Sequence, residues 1–248
     1  MFNVNGTKYL VIAVIVLCVT SVVGCGERLD LTEVTNKAVM ATTEVQSYRS
    51  MAVVTYTVDG GTKESAYESE FVAPDRYHEK TSSDGNWSEA ISIGDESYIR
   101  SSEEPQWCHT PCQYDDGSQV DVSSISLEKE LEPLNWLVDL EELPGEVIDG
   151  VVCLHYRGRV DMDAYIDMLK ERAEREYGQI PEHSEEMRRW MMDFELWVEK
   201  DSYLIWQLQG ELRFTIINPD TGEEDLVTES QTLRFYDFNQ PIVIEPPL

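Results

Sequence analysis

The side chains best suited to chemistry come together once in this chain, in Trp107-Cys108-His109-Thr110-Pro111-Cys112. Redox catalysis by paired thiols uses a Cys-x-x-Cys spacing, and here three residues separate Cys108 from Cys112. A zinc site built on Cys108, His109 and Cys112 lacks an evident fourth ligand and matches no zinc spacing, so no metal is expected. The remaining reading is a disulfide between Cys108 and Cys112, closing a small loop around Pro111 in an oxidising compartment. Cys153, flanked by Val152 and Leu154, reads as a buried free thiol, with its pairing to Cys108 or Cys112 left open. The histidines His78, His109, His155 and His183 are scattered, and none falls in a nucleophile or zinc motif. With 48 Asp plus Glu, neighbouring carboxylates arise by chance and argue for no hydrolase. The expectation is a protein without catalytic residues and without a cofactor.

The fifth cysteine has different neighbours. Lys8 precedes the apolar run Tyr9–Val23, which is short for a bilayer span of about 20 residues and ends in small residues, as an export signal does. Val22-Val23-Gly24-Cys25 resembles a bacterial lipobox, so cleavage before Cys25 and lipidation of its thiol are expected. Cys18 follows the bulky Leu17, which suits cleavage poorly. This divides the chain into a signal peptide (1–24), a tether (25–29) and one domain (30–248) held at the extracytoplasmic face of the cell membrane. Lys plus Arg number 19, giving a net charge of −29. Such a surface repels phosphate backbones and anionic headgroups, so nucleic acid is excluded as a partner and membrane residence needs the anchor.

The elements that would position any site follow from periodicity. Asp30-Leu31-Thr32-Glu33 opens a helix running to about Gln46 with a thin stripe of small apolar residues. From Tyr48 the period falls to two, and short turns such as Asp59-Gly60-Gly61 and Asp84-Gly85 join strands into a meander. Leu127–Leu143, with leucines at helical spacing, predicts one or two short helices. Gly150–Arg159 returns to strand, Asp161–Tyr177 is an amphipathic helix, His183–Met192 a shorter one, and Phe194–Lys200 a strand. Tyr203–Ile217 is the longest alternation. Leu204, Trp206, Leu208, Leu212, Phe214 and Ile216 share one parity, with Gly210 as the place to bend and polar residues between. Leu226–Phe238 pairs back. The fold class is α+β: a large curved antiparallel sheet with one apolar face that something else must cover.

The order of a lipobox, a first helix, a meander containing FVAPDRYHEK and GNWSEAISIGDESYIR, an inserted helical segment, WVEKDSYLIWQLQGEL and a closing LRFYDFNQPIVIEPP resembles the LolA-like superfamily of lipid carriers. Within that superfamily it is similar to the LppX/LprG-type lipoproteins. The resemblance implies an unclosed half-barrel whose concave face is covered by helices, leaving a hydrophobic cavity for lipid or acyl chains. The acidity and the WCHTPC loop are not features it implies. The residues expected to line the cavity are Phe194, Leu196, Val198, Leu204, Trp206, Leu208, Leu212, Phe214 and Ile216. The expected function is binding or carriage of a lipid or acylated ligand. The alternative is an envelope interaction or stress-sensing module of the RseB type on the same half-barrel, with another envelope protein as partner.

Overall fold

Alternating side chains dominate from Ser47 onward, and they build one sheet. The computed structural model describes residues 31–58, 60–109, 131–177, 184–217 and 222–247. Helix α1 (Leu31–Thr43) leads into β1 (Ser47–Val58), β2 (Gly61–Val72), β3 (Arg76–Ser83), β4 (Asn86–Ile93), β5 (Glu96–Ser101) and β6 (Cys108–His109). A 3-10 turn (Glu132–Trp136) precedes β7 (Leu137–Ile148) and β8 (Val151–Val160). Then come α2 (Met162–Tyr177), the single turn α3 (Ser184–Met187), β9 (Met191–Glu199), β10 (Ile205–Ile217) and β11 (Glu224–Tyr236). The eleven strands among the described residues lie in the order β6-β5-β4-β3-β2-β1-β11-β10-β9-β8-β7, each antiparallel to its neighbours. The outer strands β6 and β7 do not pair with each other, so the sheet is an unclosed half-barrel. Two hairpins use Asp-Gly, with Asp84 (φ 50°) and Gly85 (φ 82°) in one and Asp149 (φ 49°) and Gly150 (φ 88°) in the other. Two consecutive left-handed residues match the twist of the flanking strands.

Three expectations are corrected. The helices foreseen within 127–143 are, from Leu137 on, strand β7; residues 127–130 lie outside the described residues. Register shifts between Val138 and Glu141 and between Leu143 and Glu146 each place surplus residues in β7. A bulged strand therefore brings leucines three apart to one face and imitates helical spacing. Leu137 and Leu140 both abut Gly158 of β8. β7 is also an edge strand, where Pro144 removes no needed ladder donor. The helix foreseen over 183–192 is only the turn Ser184–Met187, because Met191 and Met192 extend β9 to pair with Arg213 and Leu212. The unbroken parity of 203–217 also fails. A bulge between Ile205 and Gln207 brings Ile205 (2 % exposed) to the inner face beside Val198, whereas Gln207 (8 %) is buried on the outer face beside Trp197. The Gln207 amide is satisfied there, its oxygen accepting from Arg234 Nε at 2.8 Å.

The helices cover one face of the sheet. Asp161 caps α2 by accepting from the Ala164 amide at 3.1 Å. Ile166 is fully buried among Val160, Met162, Met192, Phe194 and Trp190, a burial worth about 1.5–3 kcal/mol. On α1, Val34 and Ala38 are buried, and the helix packs against the 3-10 turn and β7. Phe194 sits in one cross-strand row between Gly158 and Gly210. A Cβ at Gly210 would stand 2.7 Å from Phe194 Cε1, so the glycine lets the ring lie across β10. Gly210→Val should therefore cost about 1–3 kcal/mol in urea unfolding, whereas Gly85→Asn, at an exposed turn, should change stability little.

Candidate functional site: the helix-covered face of the sheet

The inner face is read from register, because directly paired residues on neighbouring strands point the same way. One row runs Tyr156, Leu196, Leu208, Leu233, Ala52, Tyr67, Thr81, Ser88. Towards the ends of β1 and β10 follow Met192, Leu212, Glu229, Tyr56, Lys63, and then Phe214, Val227, Val58. On β8–β11 the face is therefore largely apolar. On β2–β5 it is small and hydroxyl-bearing, and Glu79 there accepts from Tyr77 at 2.7 Å and Thr81 at 3.3 Å. Tyr48 closes the opposite end, 5.2 Å from Phe71 and 5.7 Å from Phe235.

The nine residues expected to line a cavity fall into three groups. Leu196, Val198 and Leu208 are 1 %, 0 % and 3 % exposed, closed over by neighbouring atoms of the chain. Phe194, Leu212 and Phe214 are half-buried on the same face, and Ile216 is 40 % exposed at its end. Leu204 and Trp206 stand apart, half-buried beside the β9–β10 turn, where the Trp206 ring meets Phe238 at 5.7 Å. Sequence reasoning missed Trp190, whose ring lies tilted against Phe214 at 4.8 Å, and Tyr56 and Met192. The parity of β1 carried a signal for Tyr56. Nothing local marked Trp190, which lies between a helical turn and a strand.

The outer face is ionic. His78 lies between Glu89 (2.8 Å) and Glu70 (3.4 Å), and Glu70 also receives Arg49 at 2.7 Å. Glu89, itself buried, additionally binds Arg100. His155 lies between Glu195 (2.9 Å) and Glu146 (3.6 Å) and stacks on Trp197 at 4.2 Å. Burial raises Glu70, Glu89 and Glu195, but hydrogen bonds from arginine and histidine outweigh it and hold all three below the ordinary glutamate range. These are cross-strand clamps, and among the described residues neither histidine bonds a hydroxyl or a thiol. Cys108 is disulfide-bonded and Cys153 is a buried free thiol. Cys25, Cys112 and the signal segment lie outside the described residues. Among the described residues no group of three His, Cys, Asp or Glu is arranged to hold a metal ion, and no helix is long and apolar enough to cross a membrane.

This geometry defines a class of fold, an unclosed antiparallel sheet with helices on one face, and solved lipoprotein structures are similar to it. LprF from Mycobacterium bovis shares it at a TM-score of 0.50, 12 % identity, and coverage of 87 % of this chain and 96 % of that one. The lipoprotein LppX of Mycobacterium tuberculosis aligns at 0.47 and 13 %, covering 86 % and 97 %. MucB of Pseudomonas aeruginosa, in its complex with MucA, aligns at 0.30 and 13 %, covering 85 % and 58 %. No protein-family model matches the sequence, and no curated protein matches it.

Two solution properties follow. A carboxylate held below its unfolded value stabilises the fold above the ordinary glutamate range, and that stability is lost as pH falls through the lowered value. Urea midpoints should therefore fall on acidification from pH 7, and Glu89→Gln should lower the pH 7 midpoint while flattening the acid-side fall. Burial, followed by the nearby Glu199, pushes the Cys153 thiol up to about 11. At pH 8, maleimide should leave Cys153 unlabelled in the native protein and label it in urea, as read by mass spectrometry.

Proposed function

We propose that this protein is a membrane-anchored, extracytoplasmic and non-catalytic lipoprotein that binds or carries a lipid or acyl chain between the sheet and its helices. The observation that carries this reading is the apolar strip of Leu212, Phe214 and Ile216. It grows more exposed towards the end of β10, beside Trp190 and Tyr56. An acyl chain laid along such a strip gains ~0.8 kcal/mol per buried methylene, so even four would contribute about 3 kcal/mol. The chain enters at the Ile216 end, and deeper insertion towards Leu208 and Leu196 requires α2 to move away from Phe194. Lipidated Cys25 holds the carrier at the membrane, and Cys112 is the partner of Cys108. The LolA-like fold supports the same reading, since its open sheet leaves one face for helices and guest to share.

Lipid extraction of the purified full-length chain should yield a co-purifying acyl lipid, and a fluorescent fatty acid should be taken up. Ile216→Glu and Phe214→Glu should weaken that uptake about tenfold, the cost of placing a charge against an alkyl chain. A protein that carries no lipid and takes up no fatty acid would sink the proposal. Intact-mass analysis should show a chain that begins at an acylated Cys25.

The complete closure of Leu196, Val198 and Leu208 favours a second reading, in which the inner face is a filled core. The half-barrel would then act as an envelope interaction or stress-sensing module of the RseB type. That reading expects lipid-free protein and no fatty-acid uptake.

A further inference from the structure

The outer face carries a feature that lipid handling does not use. One cross-strand row there runs Val53, Ala66, Ser82, Trp87 across β1, β2, β3 and β4. Its ends are bulky and its middle is small. With strands about 4.8 Å apart, the two outer Cα positions stand roughly 14 Å from each other over a floor of one methyl and one hydroxymethyl group. Trp87 is 39 % exposed and forms a wall of this trough, while Arg100 from β5 braces the indole at 5.6 Å. A depression of about 270 Å³ extends towards Glu68 and Lys80, and one of about 370 Å³ towards Glu64, Asp84 and Asn86. Both are lined by Ala66, Ser82 and Trp87, so they are one trough.

Its polar groups are available. The carboxylates of Glu64, Glu68 and Asp84 make no ion pair with another described residue, and Lys80 reaches only Glu89, at 3.9 Å. We propose that this trough is a binding site for a neutral pyranose unit of a glycan. A pyranose has an apolar C–H face, which stacks on the Trp87 indole. It also carries a rim of hydroxyls, whose protons the carboxylates accept in pairs and whose oxygens accept from Lys80 and Asn86. The small floor admits the ring where any larger side chain would fill the space. Three uncompensated carboxylates repel uronates, sulfates and phosphates, so the sugar is uncharged. This site is independent of the lipid reading and stands or falls without it.

The test is ligand-observed saturation-transfer NMR on the full-length chain in a sugar-free detergent. The probes are maltotetraose, chitotetraose and tetragalacturonate. At least one neutral tetrasaccharide should receive transfer and tetragalacturonate should not. Trp87→Ala should reduce the effect at least about fivefold, and Ala66→Leu, which fills the floor and leaves Trp87 in place, should do the same. Circular dichroism checks that each variant folds, and if one does not, the other decides. The proposal is overturned if neither neutral probe receives transfer, if tetragalacturonate receives as much, or if a folded variant behaves like the parent.

Discussion

β1 and β11 pair over ten cross-strand positions, from Arg49 with Tyr236 to Val58 with Val227, and the rest of the sheet depends on that seam. On one side lies the meander β1–β6, on the other β7–β11. Within each half, neighbouring strands are consecutive in sequence, with α2 and α3 inserted between β8 and β9. The seam joins opposite ends of the described chain and carries a large loop-closure cost before it is rewarded. Only once it forms does a single inner face exist. Leu208 and Leu196 are then continuous with Ala52 through Leu233, and α1 and α2 have a common surface to cover. The tail reinforces the seam: Asn239 accepts from the Gln46 amide, and Asp237 pairs with Arg49.

The two faces resolve different physical problems. The inner face, apolar on β8–β11, gains by being removed from water and is buried by α2 where Phe194, Val160 and Ile166 meet. The outer face of a chain with net charge −29 must limit repulsion among its own carboxylates. It does so by threading the scarce cations between acids on neighbouring strands, as Arg49 does between Glu70 and Asp237, and Arg157 beside Glu195. His78 and His155 are held between carboxylates in the same way.

Packing is uneven along the inner face. Near Tyr48, Phe71 and Phe235 the aromatic rings pack against one another and the end is shut. At the other end Phe214 has Trp190 on it, but Ile216 faces solvent. α2 covers Phe194 and is tied to the 3-10 turn and to α3 by Arg172 with Glu132, Lys170 with Glu185, and Arg188 with Asp163 and Asp167.

Much of this was legible from residues alone. The period-two runs, the Asp-Gly hairpins and the helix over 162–177 follow from side-chain direction and turn sterics, which act within a few residues. So does the apolar parity of Leu208, Leu212 and Phe214. What the sequence could not decide depends on partners far along the chain. Leu137 and Leu140 read as helical until β8 offers a ladder and a bulge absorbs the surplus residues. Ile205 reads as outward until a bulge beside Trp206 turns it to the inner face, and Gln207 reads as wet until Trp197 and Arg234 bury it on the outer one. Whether Leu196 faces space or matter is a question of packing density, and no local pattern encodes it. The trough at Trp87 exists only because register sets Ala66 beside Ser82, a coincidence of strand alignment that hydrogen bonding between distant segments alone establishes.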